Sequence, residues 1–333
     1  MSTERGLAAP SDRASSDPGG GAPPTVAAQG EPAARRRTAA GSVSALIRTL
    51  RPHQWIKNLF VATPLVFSRH LVDVEYVLRT GLAVLAFCAL SGAVYAFNDV
   101  RDAAADRLHP TKRYRPIAAG ELSEGAAIAW AALLAGGALA GCLVIHWKLA
   151  AFAAAYLVQN VAYTLWLKQI AFVDVATIAS GFLLRVLAGA AATGVYASRW
   201  LLLCTALLAM FLGFGKRAHE LAWAERTGRA TSTRAALASY RLPVLRLALF
   251  ALAAVTLATF GAYTLDAHTA AFFGTNRLIY STPFVALGIA RFLGLALWWP
   301  KDESPTEAML KDKWFLLALG AAAATMLYVI YGG

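Results

Sequence analysis

The sequence predicts an all-α integral membrane protein of nine transmembrane helices, and three observations predict it. Of 333 residues, 58% are apolar and only 15% charged, against roughly 25% charged in a soluble domain. The apolar residues fall into long blocks separated by short charged segments. Only helices or closed barrels satisfy their backbone in lipid, and a helix crosses the ~30 Å hydrocarbon core with about 20 residues. The basic residues are unevenly shared between alternate loops, as a membrane topology requires.

Residues 1–43 are rich in Ala, Gly, Pro, Ser and Arg and contain no apolar run. Such a segment predicts a disordered cytoplasmic tail ahead of a transmembrane catalytic domain over 44–333. It has no signal-peptide middle, and Arg35-Arg36-Arg37 suits anionic headgroups. Candidate spans follow at 57–72, 80–99, 123–145, 149–167, 171–193, 199–215, 245–265, 278–298 and 313–331. The first is short and interrupted by Pro64. With a cytoplasmic N-terminus, inner segments receive 24 Lys and Arg and outer ones five, while Arg185 and Arg291 fall inside spans. These loops account for the net charge of +12 and remove nucleic acid as a partner.

Cys88, Cys142 and Cys204 all lie in apolar blocks without C-x-x-C spacing, which predicts small buried hydrophobes. The six histidines form no H-x-x-x-H pair, and neither a P-loop nor G-x-G-x-x-G after a strand occurs.

The stretch with most chemistry follows the second span: Asn98-Asp99-Val100-Arg101-Asp102, then Asp106, then His109-Pro110-Thr111-Lys112-Arg113-Tyr114-Arg115-Pro116. At about 100° per residue, Asn98, Asp102 and Asp106 drift about 40° per step and share one helix face, with Asp99 one residue off that line. Oxygen side chains on one stripe repel each other unless a cation sits among them. Mg²⁺ suits such a stripe, because it takes few carboxylates and completes its shell with water and phosphate oxygens. Pro110 ends the helix, and the basic cluster after it allows a metal–diphosphate to be held from both sides. An ordinary solvated loop is the competing reading.

A second cluster comprises Tyr163, Lys168, Asp174 and Ser180-Gly181-Phe182-Leu183-Leu184-Arg185. Asp174 and Arg185 lie within about 20° on one face, roughly 16 Å apart along it, and Gly181 on that face would let a neighbour approach closely. An arginine at that depth lines a polar cavity or forms a structural salt bridge. A third cluster, Gly215-Lys216-Arg217-Ala218-His219-Glu220 with Glu225, Arg226 and Arg229, reads as a mixed-charge helix at the membrane surface. In Arg51-Pro52-His53-Gln54-Trp55-Ile56-Lys57-Asn58, interfacial anchoring competes with phosphate binding.

The Asn98–Pro116 stretch resembles the first aspartate motif of the UbiA superfamily of intramembrane prenyltransferases. With Arg51-Pro52-x-x-Trp55-x-Lys57-Asn58, Gly181-Phe182-x-x-Arg185 and Gly215-Lys216-Arg217-x-x-Glu220, it is most similar to the decaprenyl-phosphate phosphoribosyltransferase branch, over about residues 44–330. The resemblance implies nine helices around a cavity open to the cytoplasm, in a bacterial inner membrane. One departure matters: prenyl-diphosphate users carry a second D-x-x-x-D, whereas Asp174 is followed at i+4 by Ile178. The implied donor is phosphoribosyl diphosphate and the implied acceptor a polyprenyl phosphate in the bilayer.

On this reading Asn98, Asp99, Asp102 and Asp106 hold Mg²⁺, with Lys112 and Arg113 assisting at the diphosphate. Lys57, Tyr163, Lys168, Arg185, Lys216 and Arg217 bind substrate, and Asp174 joins Asp102 and Asp106 as catalytic by stabilising charge on the ribose. The alternatives are prenyl transfer to an aromatic or other small acceptor, and transport of an anionic solute. Whether the chain forms a homo-oligomer is left open.

Overall fold

A computed structural model describes residues 39–227, 237, 239–298 and 305–332. Among them every regular element is helical. The predicted tail lies outside the described residues up to position 38, but helix α1 (Ala39–Thr49) starts ahead of the boundary expected at 44. Ala39 and Ala40 are strong helix formers, and position 45, an alanine fully buried against Ala103 and Ile117, ties α1 to the bundle.

A 3-10 helix, Pro52–Ala62, then runs into α2 (Thr63–Phe67). After it come α3 (Val74–Arg107), α4 (Glu124–Ile145), α5 (Trp147–Leu165), α6 (Val173–Thr193) and α7 (Arg199–Thr227). The second half holds α8 (Leu242–Leu265), α9 (Ala267–Phe273), α10 (Thr282–Leu297), α11 (Pro305–Lys311) and α12 (Lys313–Tyr331). Short 3-10 turns, Lys112–Tyr114, Leu167–Gln169 and Arg277–Ser281, stand in three of the connections.

Seven of these helices are long and apolar enough to cross a membrane: α3, α4, α6, α7, α8, the Arg277–Leu297 segment ending in α10, and α12. The other two predicted spans have a physical signature of their own. The span expected at 57–72 falls on the 3-10 helix and α2, neither of which is long enough to stand among the seven. The span at 149–167 is α5, 19 residues long, whose polar Gln159 and Asn160 bond to the carbonyls of Thr177 and Tyr156 at 2.8 Å each.

Two helices outrun the bilayer. Helix α3 has 34 residues and α7 has 29, roughly 51 and 44 Å at 1.5 Å per residue against ~30 Å of hydrocarbon. The excess carries the acidic end of α3 and the Lys216–Glu220 end of α7 past the apolar layer on the same side of the bundle. The surface helix expected after residue 215 is therefore a continuation of α7, with Arg217 and His219 buried at 2% and 4% exposure. No proline interrupts Phe214–Thr227, so the helix continues once its charges find partners.

One core packs α6, α7, α8 and α10 around Phe211, Phe214, Leu245, Leu249 and Phe292. A second packs the first 3-10 helix, α3, α4, α5 and α6 around Val61, Phe87, Leu90 and Leu149. Gly189 makes the second core possible, because a Cβ there would collide with the Val61 carbonyl. The outer surface is studded with bare Leu and Val, such as Leu133, Val144 and Leu247, which suits lipid and would be an aggregation surface in water. Cys88 and Cys142 are buried and Cys204 partly so, all unpaired.

Candidate functional site

A cavity of about 1490 Å³ runs through the bundle between apolar walls. Charged residues line it very unequally: Lys57, Arg185, Arg199, Lys216 and Arg217 face it, against Asp266 alone among described acids. Arg199 begins α7 and Asp266 follows α8, so they mark one end. The other four cations gather near the far end of α7 with Tyr95, Tyr156 and Tyr163. An apolar groove with cations gathered at one end is complementary to an amphiphilic anion.

Arg185 shows how that charge is built. It is 6% exposed. Its guanidinium donates to Asn58 Oδ1 at 2.9 Å, Gly181 O at 3.0 Å and Tyr156 Oη at 2.8 Å. It also lies over the Tyr156 and Phe182 rings, 4.5 and 5.4 Å from their centroids. None of these partners is a carboxylate, so the protein orients the charge without cancelling it, and an anion entering the cavity completes the pair. Gly181 lines the cavity.

Of the two readings of Arg185, the structure forms the cavity lining and not a salt bridge with Asp174. Asp174 is fully buried and accepts from Arg217 Nε at 2.6 Å, Tyr240 Oη at 2.7 Å and the Val175 N–H at 2.8 Å. It does not line the cavity. Helix-face arithmetic aligned Asp174 with Arg185, but α7 supplies a nearer cation across the interface. Both of its oxygens bond to the protein, and its link to the cavity runs through Arg217, which lines it. Arg217 Nη1 also binds Glu220 Oε2 at 2.6 Å.

The acidic end of α3 divides in two. Asn98 and Asp102 are half-buried, with Asn98 Nδ2 donating to Asp102 Oδ2 at 3.0 Å and Lys168 Nζ lying 3.3 Å from Asp102 Oδ1. Asp99 and Asp106, each 3% exposed, instead share Arg115: its Nη1 is 3.1 Å from Asp99 Oδ1 and 2.5 Å from Asp106 Oδ2. Arg51 Nη2 also binds Asp99. Asp106 sits seven residues from Asp99 and about 20° off its line, against about 40° for Asp102, so one arginine reaching along that line meets both Asp99 and Asp106. No group of three His, Cys, Asp or Glu residues suited to a metal occurs among the described residues. Arg51 and Arg115 engage Asp99, and Arg115 also engages Asp106, whereas Asn98 and Asp102 meet each other and Lys168.

Of the basic loop, Arg115 reaches the acids. Arg113 bonds to the neighbouring Tyr114 hydroxyl at 2.6 Å and lies over its ring. Lys112 is half-buried and its N–H donates to His109 Nδ1 at 3.4 Å. Lys57 faces the cavity and bonds to Gln54 Oε1 at 2.6 Å. Lys168 meets Asp102, while Tyr163, Lys216 and Arg217 line the cavity. Sequence reasoning missed Tyr156 and Tyr240, which lie in no motif and are placed by tertiary packing. Arg51 and Arg115 stood in quoted motifs, and their heptad-spaced partners Asp99 and Asp106 were the available signal.

The UbiA prenyltransferase family model matches residues 59–320. The chain is 35% identical over 308 residues to the decaprenyl-phosphate phosphoribosyltransferase of Mycolicibacterium smegmatis, covering 87% of this chain and 93% of that protein. It is likewise 35% identical over 300 residues to the enzyme of that name from Mycobacterium tuberculosis, covering 88% and 97%. The fold is similar to a UbiA homolog from Archaeoglobus fulgidus bound to DMAPP and Mg²⁺, with a TM-score of 0.65 at 17% identity over 86% of this chain and 99% of that one. It is similar also to a digeranylgeranylglyceryl phosphate synthase structure, with a TM-score of 0.62 at 15% identity over 88% and 99%. The helices, the cavity they enclose and these likenesses make the chain a multi-pass membrane protein that belongs to the UbiA prenyltransferase family.

Proposed function

We propose that the protein transfers a 5-phosphoribosyl group from phosphoribosyl diphosphate to a polyprenyl phosphate, releasing pyrophosphate. The observation that carries this reading is the cationic end of the large apolar cavity, where Lys57, Arg185, Lys216 and Arg217 meet without a carboxylate beside Arg185. Such an end takes a lipid that is itself an anion. An uncharged aromatic acceptor would leave the buried Arg185 charge without a counter-ion, at a cost of several kcal/mol. The relatives of the same name over most of both chains support the reading.

The divalent ion fits a reduced site. Asn98 and Asp102 are adjacent, half-buried oxygen donors, and Mg²⁺ commonly takes one or two carboxylates and draws its remaining ligands from water and phosphate. Asn98 and Asp102 would hold it, with Lys168 moving from Asp102 to the diphosphate. When bound, the ion neutralises charge on the departing pyrophosphate. The chain's own residues do the rest. Lys168 offers an ammonium to the leaving group. Lys57, Arg185, Lys216 and Arg217 hold the acceptor phosphate against its repulsion from the donor, and the apolar walls align the lipid tail. The acceptor phosphate is an anion near neutral pH and needs no strong general base, in keeping with the lack of a histidine constellation. The acidic end of α3 faces the cytoplasm of a bacterial inner membrane, where the soluble donor is made, and the first 3-10 helix with α2, together with α5, completes nine crossings.

The test is transfer by purified protein of label from phosphoribosyl diphosphate to polyprenyl phosphate, with and without Mg²⁺. The expected result is a Mg²⁺-dependent, lipid-extractable phosphoribosyl product. Transfer of a prenyl group from a prenyl diphosphate to a small acceptor, with no phosphoribosyl product, would overturn the proposal.

A further inference from the structure

Tyr240 belongs to no motif, yet its hydroxyl sits at the junction of three elements. It stands just before α8 and donates to Asp174 Oδ1 of α6 at 2.7 Å. The Tyr240 Oη in turn accepts the Phe172 N–H at 2.6 Å. Phe172 has φ 66°, a left-handed conformation costly for a non-glycine residue, and it forms the turn into α6. The Tyr240 ring packs edge-on against Phe172 at 5.1 Å and against Phe214 of α7 at 6.4 Å. One side chain thus pins the strained turn, the buried carboxylate and the neighbouring helix. Burial pushes the hydroxyl well above its usual pKa, so it remains a donor throughout the working range.

The carboxylate it serves passes the constraint on. Asp174 Oδ2 takes Arg217 Nε at 2.6 Å, and Glu220 takes Nη1 at 2.6 Å. Nη2 makes no bond to a described residue. Among Tyr240, Asp174 and Arg217, only Arg217 lines the cavity. With two of its three nitrogens fixed by carboxylates, the direction of Nη2 is set by where Asp174 is held, and Asp174 is held by Tyr240.

We infer that Tyr240 is a positioning residue: acting through Asp174, it aims the free edge of the Arg217 guanidinium at the phosphate of the lipid acceptor. The inference rests on the proposed function for the identity of that phosphate. Tyr240→Phe keeps both ring contacts and removes only the hydroxyl. In that variant the KM for polyprenyl phosphate rises about tenfold, the size of one hydrogen bond to a charged group. The KM for phosphoribosyl diphosphate and kcat stay near wild type. In an Arg217→Lys background, the second substitution adds nothing further to the acceptor KM, because the edge it aims is gone.

Binding separates this inference from the catalytic reading. Affinities of the full chain in detergent are measured for polyprenyl phosphate and for the matching polyprenol. Tyr240→Phe is expected to weaken the phosphate about tenfold and leave the alcohol unchanged. Binding that depends on Tyr240 in a protein that transfers no phosphoribosyl group would sink the catalytic reading and keep this one. Normal transfer with unchanged acceptor affinity in Tyr240→Phe would do the reverse. Equal loss for phosphate and alcohol, or full additivity with Arg217→Lys, also overturns the inference. If Tyr240→Phe does not accumulate, Arg217→Lys alone decides: wild-type affinity for polyprenyl phosphate in that variant removes the group Tyr240 is said to aim.

Discussion

Replacing Asp174 by Asn separates a structural carboxylate from a chemical one. Asp174 is fully buried, and Arg217, at 2% exposure, depends on it and on Glu220 for charge balance. Breaking a buried ion pair by removing one partner costs about 3–5 kcal/mol. Glu220 stays in place and its side chain is 27% exposed, so the lower figure applies, about 3 kcal/mol. At about 2.1 cal/mol/K of unfolding entropy per residue, each kcal/mol moves the Tm of a 333-residue chain by roughly 1.4 °C, which places Asp174→Asn about 4 °C below wild type. Thermal unfolding followed by tryptophan fluorescence in a fixed detergent measures it. Because Asp174 does not reach the cavity, kcat at saturating acceptor falls less than tenfold, with the kinetic loss in acceptor KM. Had Asp174 stabilised charge developing on the ribose, kcat would fall by about 10²–10³. An unchanged Tm with such a collapse in kcat would refute the reasoning and restore Asp174 to the chemistry.

Three further perturbations probe the rest. Asp102→Asn lowers kcat/KM by at least about 10²-fold with Tm near wild type, whereas Asp106→Asn, which strips the buried Arg115 pair, lowers Tm first; steady-state kinetics beside unfolding curves separates them, and equal kinetic losses would count against the divided site. Arg185→Met weakens acceptor binding about tenfold or more while leaving donor binding intact, read by titration with polyprenyl phosphate, because the charge lost is the one the protein leaves uncancelled. Asp312 is held below the usual carboxylate range by Arg291, which donates to it at 3.0 and 2.7 Å; its folded pKa lies below its unfolded one, so its contribution is complete above about pH 4 and fades as pH falls through the folded value. The gap in Tm between wild type and Asp312→Asn therefore narrows on acidification, and a gap that widened instead would reverse the sign.

The sequence made the helices legible because lipid leaves the backbone few options, and blocks such as 123–145 and 313–331 carry no competing pattern. It also made the end of α3 legible as the place where acids accumulate. What it hid was tertiary. Arithmetic on one helix placed Asp174 in line with Arg185, yet the cation that binds Asp174 stands 43 residues away on another helix. The same arithmetic, applied at four-residue steps, joined Asp106 to Asp102 and overlooked the tighter seven-residue match with Asp99, which Arg115 exploits. Tyr240 had no signal at all, since a lone tyrosine before an apolar block reads as an interfacial anchor. The continuation of α7 through Lys216–Glu220 was masked by composition: charges that look solvated in a list are buried once α6 supplies Asp174.

The central claim is that the donor diphosphate is gripped at Asn98 and Asp102, opposite the cationic end of the lipid cavity. Anomalous diffraction from Mn²⁺ in a complex with phosphoribosyl diphosphate locates the ion directly. The account predicts a single ion bonded to Asn98 and Asp102, with Arg115 still on Asp99 and Asp106 and the diphosphate directed toward Lys57 and Lys216. An ion lodged between Asp99 and Asp106, with Arg115 displaced, would contradict it.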